Sequence, residues 1–185
     1  MNGRGKRNSG RHQRGFTFLE LVVVVLIIAI LFLVAIDKYL DLLVDVERAT
    51  MEQNLGIVRS AVAMQVAKKI VEGEVAQIAA MAATNPMNYL SEQPKNYLGE
   101  LEQADLAVIE GGHWYFDKAQ RSLVYRVKHK DYFQTELNDP PRVRFRIELV
   151  YDDKNGNGSY EPGTDQTEGV RIAAQNRYSW LKQAK

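Results

Sequence analysis

One acid interrupts the apolar run FTFLELVVVVLIIAILFLVAI at residues 16–36, where only Thr17 and Glu20 are polar. A carboxylate in hydrocarbon costs at least ~2.5 kcal/mol, so Glu20 requires a cationic partner or a task. A second chemistry is suggested by DDKNGNGSYEPGTD at residues 152–165. Asp153, Asn155, Asn157 and Gly158 fall at the first, third, fifth and sixth positions of a calcium loop, where oxygens converge on one hard cation and the glycine takes the sharp turn. The closing glutamate is missing. Thr164 stands in its place, with Glu161 three residues early and Asp165 one late. The calcium candidates are therefore Asp153, Asn155, Asn157, Glu161 and Asp165, and the alternative is an Asn-Gly hairpin loop between two strands. A third group, Arg142, Arg144 and Arg146, alternates with apolar residues. Such a pattern makes a solvated sheet face or a surface for DNA or a partner subunit.

Enzymatic machinery is not visible. His12, His113 and His129 lie far apart, and there is no nucleophile elbow, phosphate loop or zinc helix. The absence of cysteine removes disulfide and thiolate chemistry. Trp114, Tyr115, Phe116 and Trp180 are expected as core or subunit contacts rather than ligand stackers.

The element carrying Glu20 is a helix. Twenty-one residues at ~1.5 Å rise span roughly 30 Å, the thickness of a bilayer core. Residues 1–15 hold Arg4, Lys6, Arg7, Arg11 and Arg14 and no acid, which keeps this end cytoplasmic and exports the chain beyond Ile36. The rest of the chain then carries 19 Lys and Arg against 23 Asp and Glu, so no nucleic-acid footprint is expected overall. The apolar run is longer than a signal-peptide core, and Asp37, Lys38 and Tyr39 come after it instead of a small-residue cleavage site.

Arg14, Gly15 and then FTFLE before a long aliphatic helix resemble the type IV pilins and pseudopilins. That resemblance implies cleavage between Gly15 and Phe16 by a prepilin peptidase, N-methylation of Phe16, and pairing of Glu20 with the amine of Phe16 in a neighbouring subunit. It implies a bacterial inner-membrane protein, single-pass with its amino end cytoplasmic and its head periplasmic. It also implies partnership with other pilin or pseudopilin subunits and an inner-membrane assembly platform. The chain departs from many members at Asp37, where they carry a helix-kinking proline, and at Ala29, where glycine is frequent. The resulting division is a basic leader at 1–15, a filament-core helix at 16–36, an amphipathic helix at 37–72 and a head at 73–185. The expected function is polymerisation into a type IV pilus or type II secretion pseudopilus. The alternative is a monomeric membrane-anchored module that binds DNA or calcium.

For the fold, no proline interrupts residues 16–71, Gly73 is the expected stop, and an apolar stripe recurs at Tyr39, Leu42, Leu43, Val46, Ala49, Leu55, Val58, Ala61, Val62, Val66 and Ile70. Asp41, Asp45, Glu47, Arg48, Glu52, Arg59 and Lys68 are assigned to the opposite, wet face. Residues 74–84 are expected to form a short second helix, and the Pro- and Asn-rich stretch after it a long loop. Trp114 to Phe116 and Leu123 to Val127 read as a hairpin, and Val143, Phe145, Ile147 and Leu149 as one face of a further strand, beside which 168–181 returns. The class is α+β: a long N-terminal helix packed on a small antiparallel sheet, the lollipop that the resemblance also implies.

Overall fold

The computed structural model describes residues 16–181, and the leader, including His12 and Gly15, lies outside them. One helix, α1, runs Phe18–Val71. It stops as expected. Gly73 takes a left-handed φ of 76°, its N–H reaches Ile70 O at 3.2 Å, and Glu74 N reaches Lys69 O at 2.8 Å. These are the paired bonds of a Schellman stop, which satisfy carbonyls that the helix leaves open. The chain divides into two compact units between Leu40 and Asp41. In the first, every described side chain of residues 16–36 is exposed.

In the second unit α1 buries Val44, Glu47, Met51, Leu55, Val58 and Val62, at steps of three and four. The expected period is right, but its phase over the first turns is not. Leu42, Val46 and Ala49 are exposed, and Glu47, assigned to the wet face, is only 8% exposed.

Beyond α1 the chain builds two sheets. The larger has the order β1 (Tyr97–Leu101), β2 (Trp114–Asp117), β3 (Ser122–Arg126), β5 (Arg142–Asp152), β6 (Gln166–Ala174). The smaller pairs β4 (Phe133–Thr135) with β7 (Tyr178–Trp180). The expected hairpin is β2–β3, with Trp114 opposite Tyr125, and β5 lies antiparallel to both β3 and β6. The sheet is nevertheless mixed, because β1, absent from the expectation, runs parallel to β2. The stretch expected to return beside β5 also divides: β6 pairs with it, and β7 leaves for β4.

Residues 74–84 do not form an α-helix. They make two 3-10 turns, Val75–Gln77 and Ala79–Met81. Ala83 then takes φ 57° and donates its N–H to Ile147 O at 2.9 Å. Tertiary pairing with β5 outweighs the helix propensity of an alanine-rich segment too short to nucleate by itself. The long loop is packed rather than open. Asn85, 5% exposed, accepts from Met87 N at 3.0 Å and donates to Tyr97 Oη at 2.8 Å and Glu100 Oε1 at 2.7 Å, which ties the loop to β1.

The core between α1 and the larger sheet gathers Met51, Leu55, Val58 and Val62 against Trp114, Leu123, Tyr125, Val143, Phe145 and Ile147. Trp114 and Tyr125 meet with ring centroids 4.8 Å apart. On the other face Tyr115 and Val124 lie under Ile109, with Leu101, Ala104 and Leu106 packed around them. This cover explains why β2 and β3 are buried on both faces instead of alternating.

Candidate functional site

The amino-terminal end of α1 is built on Thr17. Its Oγ1 accepts the N–H of Glu20 at 3.2 Å, and its carbonyl accepts Leu21 N at 3.1 Å, which begins the helical ladder. Thr17 is thus the N-cap and Glu20 the third helical residue, in the Thr-x-x-Glu order of a capping box. An acid there also faces the positive end of the helix dipole. The cap was legible as a spacing in the sequence, and the reading of Glu20 by its burial cost alone passed over it. Behind the cap the side chains form an unbroken apolar surface, with Phe18 82% and Leu31 64% exposed. Among the described residues α1 is the one helix long and apolar enough to cross a membrane.

The prokaryotic N-terminal methylation motif matches residues 10–36, the segment that holds Gly15, Phe16, Thr17 and Glu20. The chain carries the hallmark of the type IV pilin and pseudopilin family. That family is structural rather than catalytic, and its motif marks pilin-like subunits processed by prepilin peptidase. Neither the curated proteins nor the solved structures give a match to the chain.

In the head, the second unit, the residue that sequence reasoning missed is Glu47. Its Oε1 accepts from Lys128 N at 2.7 Å and Tyr125 Oη at 3.0 Å, and its Oε2 from His129 N at 3.0 Å, with His129 Nδ1 at 2.5 Å. Two backbone amides, a phenol and an imidazole therefore hold one buried carboxylate, so that α1 is locked to the end of β3 by directed bonds as well as by packing. Burial, and then the Glu47 carboxylate, push the Tyr125 phenol well above its ordinary range. A signal existed: Glu47 lies three residues after Val44 and four before Met51, within the buried stripe.

The 153–165 loop sits between β5 and β6. Asp153 accepts from Gly156 N at 2.8 Å and Gly158 N at 2.7 Å, Asn155 Oδ1 from Asn157 N at 3.1 Å, and Asn157 Oδ1 from Ser159 N at 2.8 Å. The amide of Gly158 leads these bonds in holding the Asp153 carboxyl below its usual range. Asn155 Nδ2 donates to Glu161 Oε2 at 2.8 Å. Asp165 turns inward, 8% exposed, and braces the loop by accepting from Lys154 N at 3.1 Å and Glu161 N at 2.7 Å. Among the described residues no three His, Cys, Asp or Glu side chains gather as a metal group.

The aromatic candidates are spread through the core. Trp114 and Phe116 belong to the main cluster, Tyr115 to the outer one, and Trp180 packs edge-on against Phe133 at 4.9 Å. His113 and His129 do not meet: one ring is near Glu110 O, the other on Glu47.

Proposed function

We propose that the chain is made as a prepilin, cut between Gly15 and Phe16, N-methylated on Phe16, and polymerised through residues 16–36 into a type IV pilus or type II secretion pseudopilus. The observation that carries this reading is the methylation motif set directly onto a helix whose apolar surface is exposed all round. A bilayer covers that surface in the monomer, and the helices of other subunits cover it in a filament, where burial of the same area continues. In the head, Leu42, Val46 and Ile57 on α1 are apolar and half-exposed or more, and offer area of their own for neighbouring subunits to bury. The inner-membrane assembly platform feeds such subunits into the growing filament.

Glu20 sets register in this scheme. Its carboxylate meets the cationic amine of Phe16 in the next subunit, an arrangement that relieves two burial costs together. Mass spectrometry of the amino terminus tests the reading. The expected mature chain starts at methylated Phe16 and is found in sheared filaments or, for a pseudopilus, is required for secretion. A chain keeping Met1 in cells with active prepilin peptidase overturns it in favour of a monomeric membrane-anchored module.

A second reading concerns calcium at the 153–165 loop, supported by the successive turns that fold the Asp153, Asn155 and Asn157 oxygens into one loop with Asp153 held ionised. A ligand set rich in amides and poor in charge gives weak sites, with Kd of about 10⁻⁴–10⁻³ M. Calcium at ten times Kd would then stabilise the head by about 1.4 kcal/mol. A melting temperature unmoved by ~10 mM calcium rejects this site.

A further inference from the structure

The outer face of the β3–β5 ladder holds Arg126, Arg142, Arg144 and Arg146. Among the described residues none of the four lies within ion-pair distance of a carboxylate. They are fixed instead by neutral oxygens. Arg126 Nη1 donates to Pro141 O at 3.2 Å, and Arg142 Nη1 to Asn138 O at 2.7 Å and Pro140 O at 2.9 Å. Arg144 donates to the Gln120 side chain, and Arg146 to Gln120 O at 2.6 Å and Arg121 O at 3.2 Å. The Nε atoms of Arg126 and Arg144 are buried with no acceptor. Four half-buried guanidiniums are thus held in place without a direct ion pair, with Asp139 acting on Arg126 only at longer range, a surface preorganised for carboxylates or phosphates.

The opposite charge lies at the other end of the same strand. Residues 152–168 carry Asp152, Asp153, Glu161, Asp165 and Glu168 against the single Lys154, a net −4. Along β5, Arg146 and Asp152 are six residues apart, about 20 Å at the strand rise and beyond the reach of an arginine side chain. The middle of the strand is already neutral, because Glu148 pairs with Arg171 at 3.0 Å. The two ends therefore cannot satisfy each other within one molecule. They can do so between molecules, and a contact of one patch with a different patch is heterologous, the kind that propagates as an open helical array. A nucleic-acid partner fits less well, since residues 41–181 hold 21 Asp and Glu against 16 Lys and Arg, and the wider field repels a polyanion.

We propose that Arg126, Arg142, Arg144 and Arg146 receive the acidic 152–168 segment of a second copy of this chain, as a head-to-head contact within the polymer. This contact rests on the polymerisation reading. The chain has no cysteine, so introduced thiols report only the designed contacts. Full-length Ala119→Cys and Ser159→Cys chains, which keep the Gln120 acceptor of Arg144, are co-expressed in membranes with the assembly machinery and oxidised. A separate Leu33→Cys chain reports association of the apolar helices. The expected result is an Ala119→Cys/Ser159→Cys heterodimer. It falls about tenfold or more with Arg144→Glu plus Arg146→Glu, falls equally with Glu161→Lys plus Glu168→Lys on the other chain, and returns when the two reversals are combined.

Leu33→Cys dimers without the head heterodimer overturn this contact and leave polymerisation standing. Loss of both overturns the contact and the polymerisation reading together. Retardation of duplex DNA by the full-length protein in detergent, abolished by the arginine reversals, overturns it in favour of a nucleic-acid surface. The acidic-segment variants change exposed side chains, so they test the contact even if the arginine variants fold poorly.

Discussion

Replacing Glu47 by Ala removes the acceptor for Lys128 N, His129 N and Tyr125 Oη at a site where the carboxylate is 8% exposed. Each buried donor left without a partner costs about 1–3 kcal/mol. Water entering beside the partly buried amides recovers some of this, and removal of a buried charge recovers more, which leaves a net loss of about 3–4 kcal/mol. Against a total stability of about 5–15 kcal/mol this is a large fraction. At about 4 °C per kcal/mol for a domain of this size, melting of the full-length protein in detergent, followed by near-ultraviolet circular dichroism, falls by roughly 12–16 °C. Tyr125→Phe alone loses about 1.5 kcal/mol, and its cycle with Glu47→Ala shows coupling of similar size. Glu52→Ala is the control. That residue makes only an exposed pair with Arg48 at 2.9 Å and changes stability by less than ~0.5 kcal/mol. A Glu47→Ala melt that matches the Glu52→Ala melt refutes the view that directed bonds lock α1 to the sheet.

A methyl at Gly111 would lie 2.5 Å from Lys128 Cα and 2.9 Å from Val127 O, so Gly111→Ala costs about 1–3 kcal/mol in thermal melts. By contrast Gly56→Ala, in the interior of α1 with nothing within 4 Å, stabilises by up to ~1 kcal/mol. Burial is the first cause that raises the phenols of Tyr97, Tyr115, Tyr125 and Tyr178. The unfolded chain therefore releases these protons first as the pH climbs past about 10. Stability is full below that value and is lost as pH rises toward the folded-state values, and melts across this range in Tyr125→Phe decline less steeply. Glu20→Ala leaves insertion and cleavage intact but strands the Phe16 amine in the filament, a cost of ~3–5 kcal/mol. Normal recovery of processed Glu20→Ala chains in sheared filaments removes the register role.

The sequence by itself determined whatever rests on local rules. The length and polarity of residues 16–36, the Gly73 stop and the alternation of Val143, Phe145 and Ile147 depend on period and backbone geometry, which a single chain segment contains. The motif around Gly15 and Glu20 belongs to the same class, because the recognition it serves acts on a continuous stretch. Tertiary structure alone decided the rest. Glu47 looks like any polar helix residue until the β3 end supplies two amides and a phenol from about eighty positions away. Residues 74–84 have the composition of a helix, yet the free edge of β5 beyond β3 takes Ala83 N instead. The strand at 97–101 is hidden because its parallel partner lies across the 102–109 segment, of which only Ile109 is buried, with no tight turn to announce the pairing. Even the arginine face required the fold: spacing showed that Arg142, Arg144 and Arg146 share a side of one strand. Only the packed sheet showed that Arg126 joins them and that, among the described residues, no carboxylate pairs directly with any of the four.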